Sequence, residues 1–174
     1  MNRKILVTTI GLLAVGAATS ALAQESKPVG LSVRAGLFFP SSSDARDIGK
    51  SWFGGGADFR LKDMNLGTTG ASSSSAELTV SADYYGKDNA TTVPVLLNFV
   101  GHNNETYYTA GVGFGFNRFP DSAGGTNNTT RLAYQIGLGY NFQQGRSPLF
   151  LEARYWGSSN SDLNGVAVYV GIHL

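Results

Sequence analysis

The chain has 174 residues, 13 of them basic, 12 acidic and none cysteine. That balance gives no electrostatic footprint for nucleic acid, and with no disulfide to form, packing and backbone pairing must hold the fold together. At this length a single domain is expected.

In chain order the first element is a secretory signal peptide over residues 1–23. Arg3 and Lys4 supply its positive start, Ile5 to Val15 its apolar core, and Ala21-Leu22-Ala23 a small-residue cleavage box, leaving 24–174 as the mature domain. No cysteine follows the box, which excludes a lipoprotein anchor, and loss of Arg3 and Lys4 takes the formal charge from +1 to −1. The longest later apolar run, VPVLLNFV at 93–100, is too short to cross a bilayer as a helix.

Eight stretches then alternate with period two, near 30–39, 50–61, 76–86, 92–101, 105–118, 129–143, 148–157 and 164–174; none has a helical period. Pro94 falls inside the fourth, where it removes a ladder hydrogen bond. The connections at 40–49, 119–128 and 158–163 are long and polar, whereas 101–104 and 144–147 are tight turns. Such one-sided asymmetry is expected of an outer-membrane barrel with short periplasmic turns. Two connections break it: 87–91 is short, and 62–75, KDMNLGTTGASSSS, is long and reads as a linker through its serine run.

Sorting each stretch by parity separates two faces. In YYTAGVGFGFNRF at 107–119, Tyr108, Ala110, Val112, Phe114 and Phe116 share one face, while Thr109, Gly111, Gly113, Gly115 and Asn117 share the other. The sixth stretch sets Leu132, Tyr134, Ile136 and Leu138 against Arg131, Ala133, Gln135, Gly137, Gly139 and Asn141. The first sets Leu31, Val33 and Leu37 against Ser32, Arg34, Gly36 and Phe38, and the eighth sets Val166, Val168 and Val170 against Ala167, Tyr169, Gly171 and His173. A water-facing polar face is normally dense in Lys and Glu, but this one is built of Gly, Ala, Ser, Thr and Asn. Small residues suit a crowded eight-stranded interior, where glycines leave room for Phe38, Trp52, Phe150, Trp156 and Tyr169. The polar face is therefore expected inside and the apolar face against lipid. Aromatics on the apolar parity fall near strand ends: Phe59, Phe99, Tyr108, Tyr140 and Phe142 at the periplasmic end, and Phe39, Phe53, Tyr84, Phe116, Tyr134 and Tyr155 at the other. These form two lipid-facing girdles.

The runs GLSVRAGLFFPSSSDARD, TTVPVLLNFVG, YYTAGVGFGFNRF and LAYQIGLGYNF, with the closing strand, resemble the small eight-stranded outer-membrane barrels of the OmpA-like and OmpX-like superfamily, over essentially the whole mature chain. The resemblance implies an all-β, eight-stranded antiparallel up-and-down transmembrane β-barrel in a Gram-negative outer membrane. It also implies a monomer embedded in outer-membrane lipids and lipopolysaccharide and folded by the barrel-assembly machinery. One departure is Leu174, where such barrels commonly end in Phe or another aromatic read by that machinery.

On the inward parity stand Arg34, Asp58, Arg60, Glu77, Asp83, Arg131, Glu152 and Arg154, four bases against four acids. Buried charges are costly unless paired, so a lumenal ion-pair network is expected, and the resemblance implies that it plugs the barrel. No catalytic, cofactor or metal site is expected. Acyl-transferring barrels pair a histidine with a serine, but YWGSSNSD at 155–162 holds no histidine. His102 and His173 fall near the periplasmic end, out of reach of an outer-leaflet acyl bond. GVGFG at 111–115 opens no helix and is structural. The expected role is structural or surface-interacting. The alternatives are a narrow OmpW-like, porin-like channel or carrier for small hydrophobic solutes, and a secreted lipocalin-like ligand-binding barrel.

Overall fold

The computed structural model describes residues 30–69, 72–120, 125–142, 149–159 and 163–174. The expected signal peptide and the turn at 144–147 lie outside the described residues. Eight strands and one short helix follow in order: β1 (Leu31–Pro40), α1 (Ser43–Ile48), β2 (Trp52–Thr69), β3 (Ser72–Lys87), β4 (Ala90–Asn103), β5 (Thr106–Pro120), β6 (Thr126–Asn141), β7 (Leu149–Ser158) and β8 (Gly165–His173). Each strand pairs antiparallel with its sequence neighbours, and β1 pairs with β8, so the sheet closes on itself. The fold is an all-β, eight-stranded antiparallel barrel, as the alternation predicts.

The wall is strongly staggered. From Leu31 the ladder runs through Phe59, Val80, Leu97, Val112, Tyr134 and Gly157. The next residue round, Asn164, accepts at its carbonyl from the Ser41 amide, so one circuit rises ten residues, from Leu31 to Ser41. With ~3.3 Å per residue and ~4.8 Å between strands, that stagger tilts the strands by about 40° to the axis.

Two local features differ from the sequence expectation. First, 40–49 contains α1, capped by Ser42, whose Oγ accepts from Ala45 N at 3.2 Å, with Asp44 in its first turn. Six residues are too few to show a helical period, and packing of the buried Ala45 holds the helix rather than propensity. Second, 62–75 is not a loop: β2 and β3 continue as a paired hairpin from Lys62↔Leu78 to Thr69↔Ser72, on the side of the barrel where Gly30 and Leu174 lie. Its residues lack apolar alternation, and strand pairing through the backbone needs none. The short connections at 87–91 and 101–104 are as expected, and Asp88 and Asn104 in them take φ 51° and 54°, left-handed values that these side chains tolerate. Pro94 keeps its place in β4, but the β3–β4 ladder lapses between Ala82↔Val95 and Tyr85↔Thr92, where proline has no amide proton to give.

The polar, glycine-rich parity faces inward. Phe38, Trp52, Phe150, Trp156 and Tyr169 are all buried to within 1%, whereas Val112, Ile136 and Leu138 stand 67%, 58% and 64% exposed on the outer wall. Interior glycines hold space for large neighbours: a Cβ on Gly139 would enter the Tyr107 ring, and one on Gly171 the Phe150 ring. Gly36 is tighter still, because its Cβ would fall on the Val168 and Tyr169 backbone across the β1–β8 seam. Gly36→Ala should therefore destabilise the barrel by about 1–3 kcal/mol. Gly55→Ala, whose nearest obstacle is Arg34 O at 3.3 Å, should be closer to neutral. Urea unfolding of both variants measures the difference.

Candidate functional site

The lumen is layered along the axis. At the α1 end, Phe38, Trp52, Tyr85, Trp156 and Tyr169 fill the bore together with Leu96, Ala167 and Leu163. Their rings interlock, with Phe38–Tyr85 centroids 4.6 Å apart and Phe38–Trp52 5.7 Å. The helix closes this plug: Ala45 packs into it, and Trp52 Nε1 donates to Gly49 O at 2.9 Å.

Below the rings lies a buried charge cluster. Arg34, on β1, donates to Asp83 Oδ1 through Nε at 2.9 Å and Nη2 at 2.6 Å, and to Asp58 Oδ2 through Nη1, while its guanidinium lies 5.4 Å from the centre of the Tyr169 ring. Arg154, on β7, donates to Asp58 Oδ2 at 3.0 Å and Glu152 Oε1 at 2.6 Å, and lies 3.8 Å from Asp83 Oδ2. Asp58 thus bridges both guanidiniums across the bore, a charge-assisted geometry stronger than neutral pairing. Two guanidiniums here meet three carboxylates. Beside them a neutral set completes the section: Gln135 Nε2 donates to Asn98 Oδ1 at 2.6 Å and to Ser81 Oγ at 3.4 Å, and Asn98 Nδ2 to Thr79 Oγ1 at 3.4 Å.

Toward the end where Gly30 and Leu174 lie, the bore opens into a vestibule of about 590 Å³, with Asp58 and Arg154 among its lining residues. Arg60 lies 3.5 Å from Asp63 and 3.7 Å from Glu77, and Glu77 lies 3.5 Å from His102 Nε2. Of the eight charges expected in one network, five form the central cluster, and Arg60 and Glu77 form this separate group in the vestibule. Arg131 joins neither. It keeps the inward parity but is exposed, because β6 at that height has run past β7: the β6–β7 ladder ends at Ala133↔Ser158. Asp63 lies in the stretch expected to be a linker, and past the bulge between Arg60 and Lys62 it pairs opposite Glu77 on the inward parity.

The expected girdle residues lie on the outer wall in two levels. Phe59, Phe99, Tyr108, Tyr140 and Phe142 cluster toward the vestibule end, with Tyr140–Phe142 centroids 5.4 Å apart and Phe99–Tyr108 6.3 Å. Phe39, Phe53, Tyr84, Phe116, Tyr134 and Tyr155 lie toward the α1 end, with Tyr134–Tyr155 centroids 6.3 Å apart. All are exposed except Phe99 and Tyr155, which are half-buried. Among the described residues no group of three or more His, Asp or Glu side chains is placed to hold a metal ion.

Comparison with family models, curated proteins and solved structures finds no match to this chain.

The cluster sets a stability expectation. Arg154→Leu would leave the buried Glu152 without its partner and Asp58 and Asp83 with Arg34 alone, and should cost about 3–5 kcal/mol. Replacing the exposed Arg131 by Leu should cost less than about 0.5 kcal/mol. Chemical unfolding of both variants beside the parent checks the contrast.

Proposed function

We propose that this chain is an outer-membrane barrel of the OmpA-like and OmpX-like kind, with a plugged lumen and a structural or surface-interacting role in the cell envelope. The observation that carries this reading is the outer wall. Leu37, Val112, Leu132, Ile136, Leu138 and Val170 are each at least 50% exposed, on strands β1, β5, β6 and β8, while Arg34, Asp58, Asp83, Glu152 and Arg154 turn inward. A water-soluble protein rarely exposes a continuous apolar surface beyond a few hundred Å². Hydrocarbon is the solvent that suits such a wall, and a closed sheet is one of the two structures that leave no backbone group unpaired within it.

Two further features support the reading. The stagger gives the tilt of about 40° usual in such barrels, and at that tilt roughly ten residues cross the apolar band. The two levels of exposed aromatics are spaced as interfacial girdles, so the vestibule would open to the periplasm and α1 would face the exterior. A lipocalin-like binder needs its apolar face inside, and a carrier for hydrophobic solutes needs a continuous path. Here the interior is polar, and the bore is sealed by rings and ion pairs.

Ile136→Arg separates lipid from water as the outer solvent. In water, a charge at a position already 58% exposed should change stability little. In a bilayer it should cost about 2–4 kcal/mol near the midplane. Unfolding measured in lipid vesicles should show that loss, with the protein retained in the membrane pellet after carbonate washing. A freely soluble protein, or a neutral substitution, would overturn the membrane assignment; steady conductance of the parent in planar bilayers would overturn the plug.

A further inference from the structure

Three side chains on the vestibule wall form a hydrogen-bonded chain to which a plug assigns no task. Ser32 on β1 and His173 on β8 are direct ladder partners, and Ser32 Oγ lies 2.6 Å from His173 Nδ1. On the other side of the ring, His173 Nε2 lies 3.1 Å from Asn141 Oδ1 at the end of β6. All three residues line the cavity of about 590 Å³. An amide oxygen only accepts, so Nε2 carries the imidazole proton and Nδ1 presents its lone pair to the serine hydroxyl. The ring is held in that orientation by Phe150, stacked with centroids 4.6 Å apart at 33°, and by Tyr107, edge-on at 6.4 Å.

We propose that Ser32, His173 and Asn141 form a serine-nucleophile site that cleaves small, water-soluble carboxylic esters entering from the vestibule mouth. Nucleophile, base and orienting group stand in hydrogen-bond reach in the order such chemistry requires. Ser32 Oγ attacks the ester carbonyl carbon as its proton passes to His173 Nδ1. The carbon–oxygen bond to the alcohol breaks, and the imidazolium returns that proton to the departing alkoxide, leaving an acyl-Ser32. Water then attacks the acyl group, giving one proton to His173 and from there to Ser32 Oγ, so the carboxylic acid leaves and the site is restored. Asn141 is a positioning residue, fixing the tautomer. Arg60 and Arg154 line the same cavity and put positive charge on its wall. A cavity of this size takes a small ester and excludes a multi-chain lipid. His173 is out of reach of an outer-leaflet acyl bond, but a soluble substrate entering by the vestibule mouth reaches it.

The test uses the full chain folded in detergent, a fluorophosphonate probe and p-nitrophenyl acetate. The expected result is a covalent adduct mapped to Ser32, lost in Ser32→Ala together with ester hydrolysis, and formed about 100-fold more slowly in His173→Gln. Asn141→Asp should move the acid limb of the hydrolysis profile to higher pH, because a carboxylate stabilises the imidazolium; a purely structural hydrogen bond would move nothing. The other titratable groups on that wall, Asp58, Arg60, Asp63, Glu77, His102 and Arg154, with Tyr107, are unchanged between these variants. Heat-shifted gel migration reports barrel formation separately in each, and His173→Asn serves where His173→Gln does not fold. An unlabelled Ser32 in the folded parent, or an equal labelling rate in a folded His173 variant, overturns the proposal. Either result leaves the membrane reading standing, since that reading fails by solubility and not by inertness.

Discussion

Ser32 to Pro40 pair residue by residue with His173 to Gly165, and this seam turns a meandering sheet into a cylinder. Without it β1 and β8 would each present a row of unpaired amides and carbonyls, a template for aggregation in water and intolerable in hydrocarbon. Closure also imposes the interior. A wall of eight strands staggered by ten residues leaves a bore only wide enough for side chains, so whatever faces inward must fill it and satisfy itself. The seam's dependence on Gly36, beside the Val168 carbonyl, shows how little room the closure leaves.

The filling is graded along the axis. At the α1 end, burial of large rings does the sealing, and the Trp52 indole N–H is met by Gly49 O. In the middle, Arg34 and Arg154 make the section rigid by tying β1 and β7 to β2 and β3 through Asp58 and Asp83. Desolvation offsets much of what these pairs gain, so their main contribution is to fix which strands stand opposite one another. Toward the vestibule end the side chains draw back, and polar groups line open space.

Period two and residue size were enough to read the closed barrel, the inward parity and the buried aromatics, because each strand carries its own inside–outside signal. The central cluster followed from parity, since Arg34, Asp58, Asp83, Glu152 and Arg154 all lie where unbroken alternation places them. Arg131 was misplaced because parity gives direction but not height, and height depends on where the neighbouring strand stops. Asp63 was hidden because 62–75 reads as a linker and because a bulge leaves no mark in composition. The β2–β3 extension and α1 were missed for opposite reasons: one is a strand without apolar alternation, the other a helix shorter than its own period. The contact between Ser32 and His173 joins residues 141 positions apart in the chain, and only ladder register brings them together.

The imbalance at the waist of the lumen, three acids against two bases, has a consequence for any attempt to bore this barrel open. Trimming the rings above it would expose a constriction lined by more carboxylates than guanidiniums, with walls already braced. Any selectivity of such an opening would be set by residues that no one had to introduce.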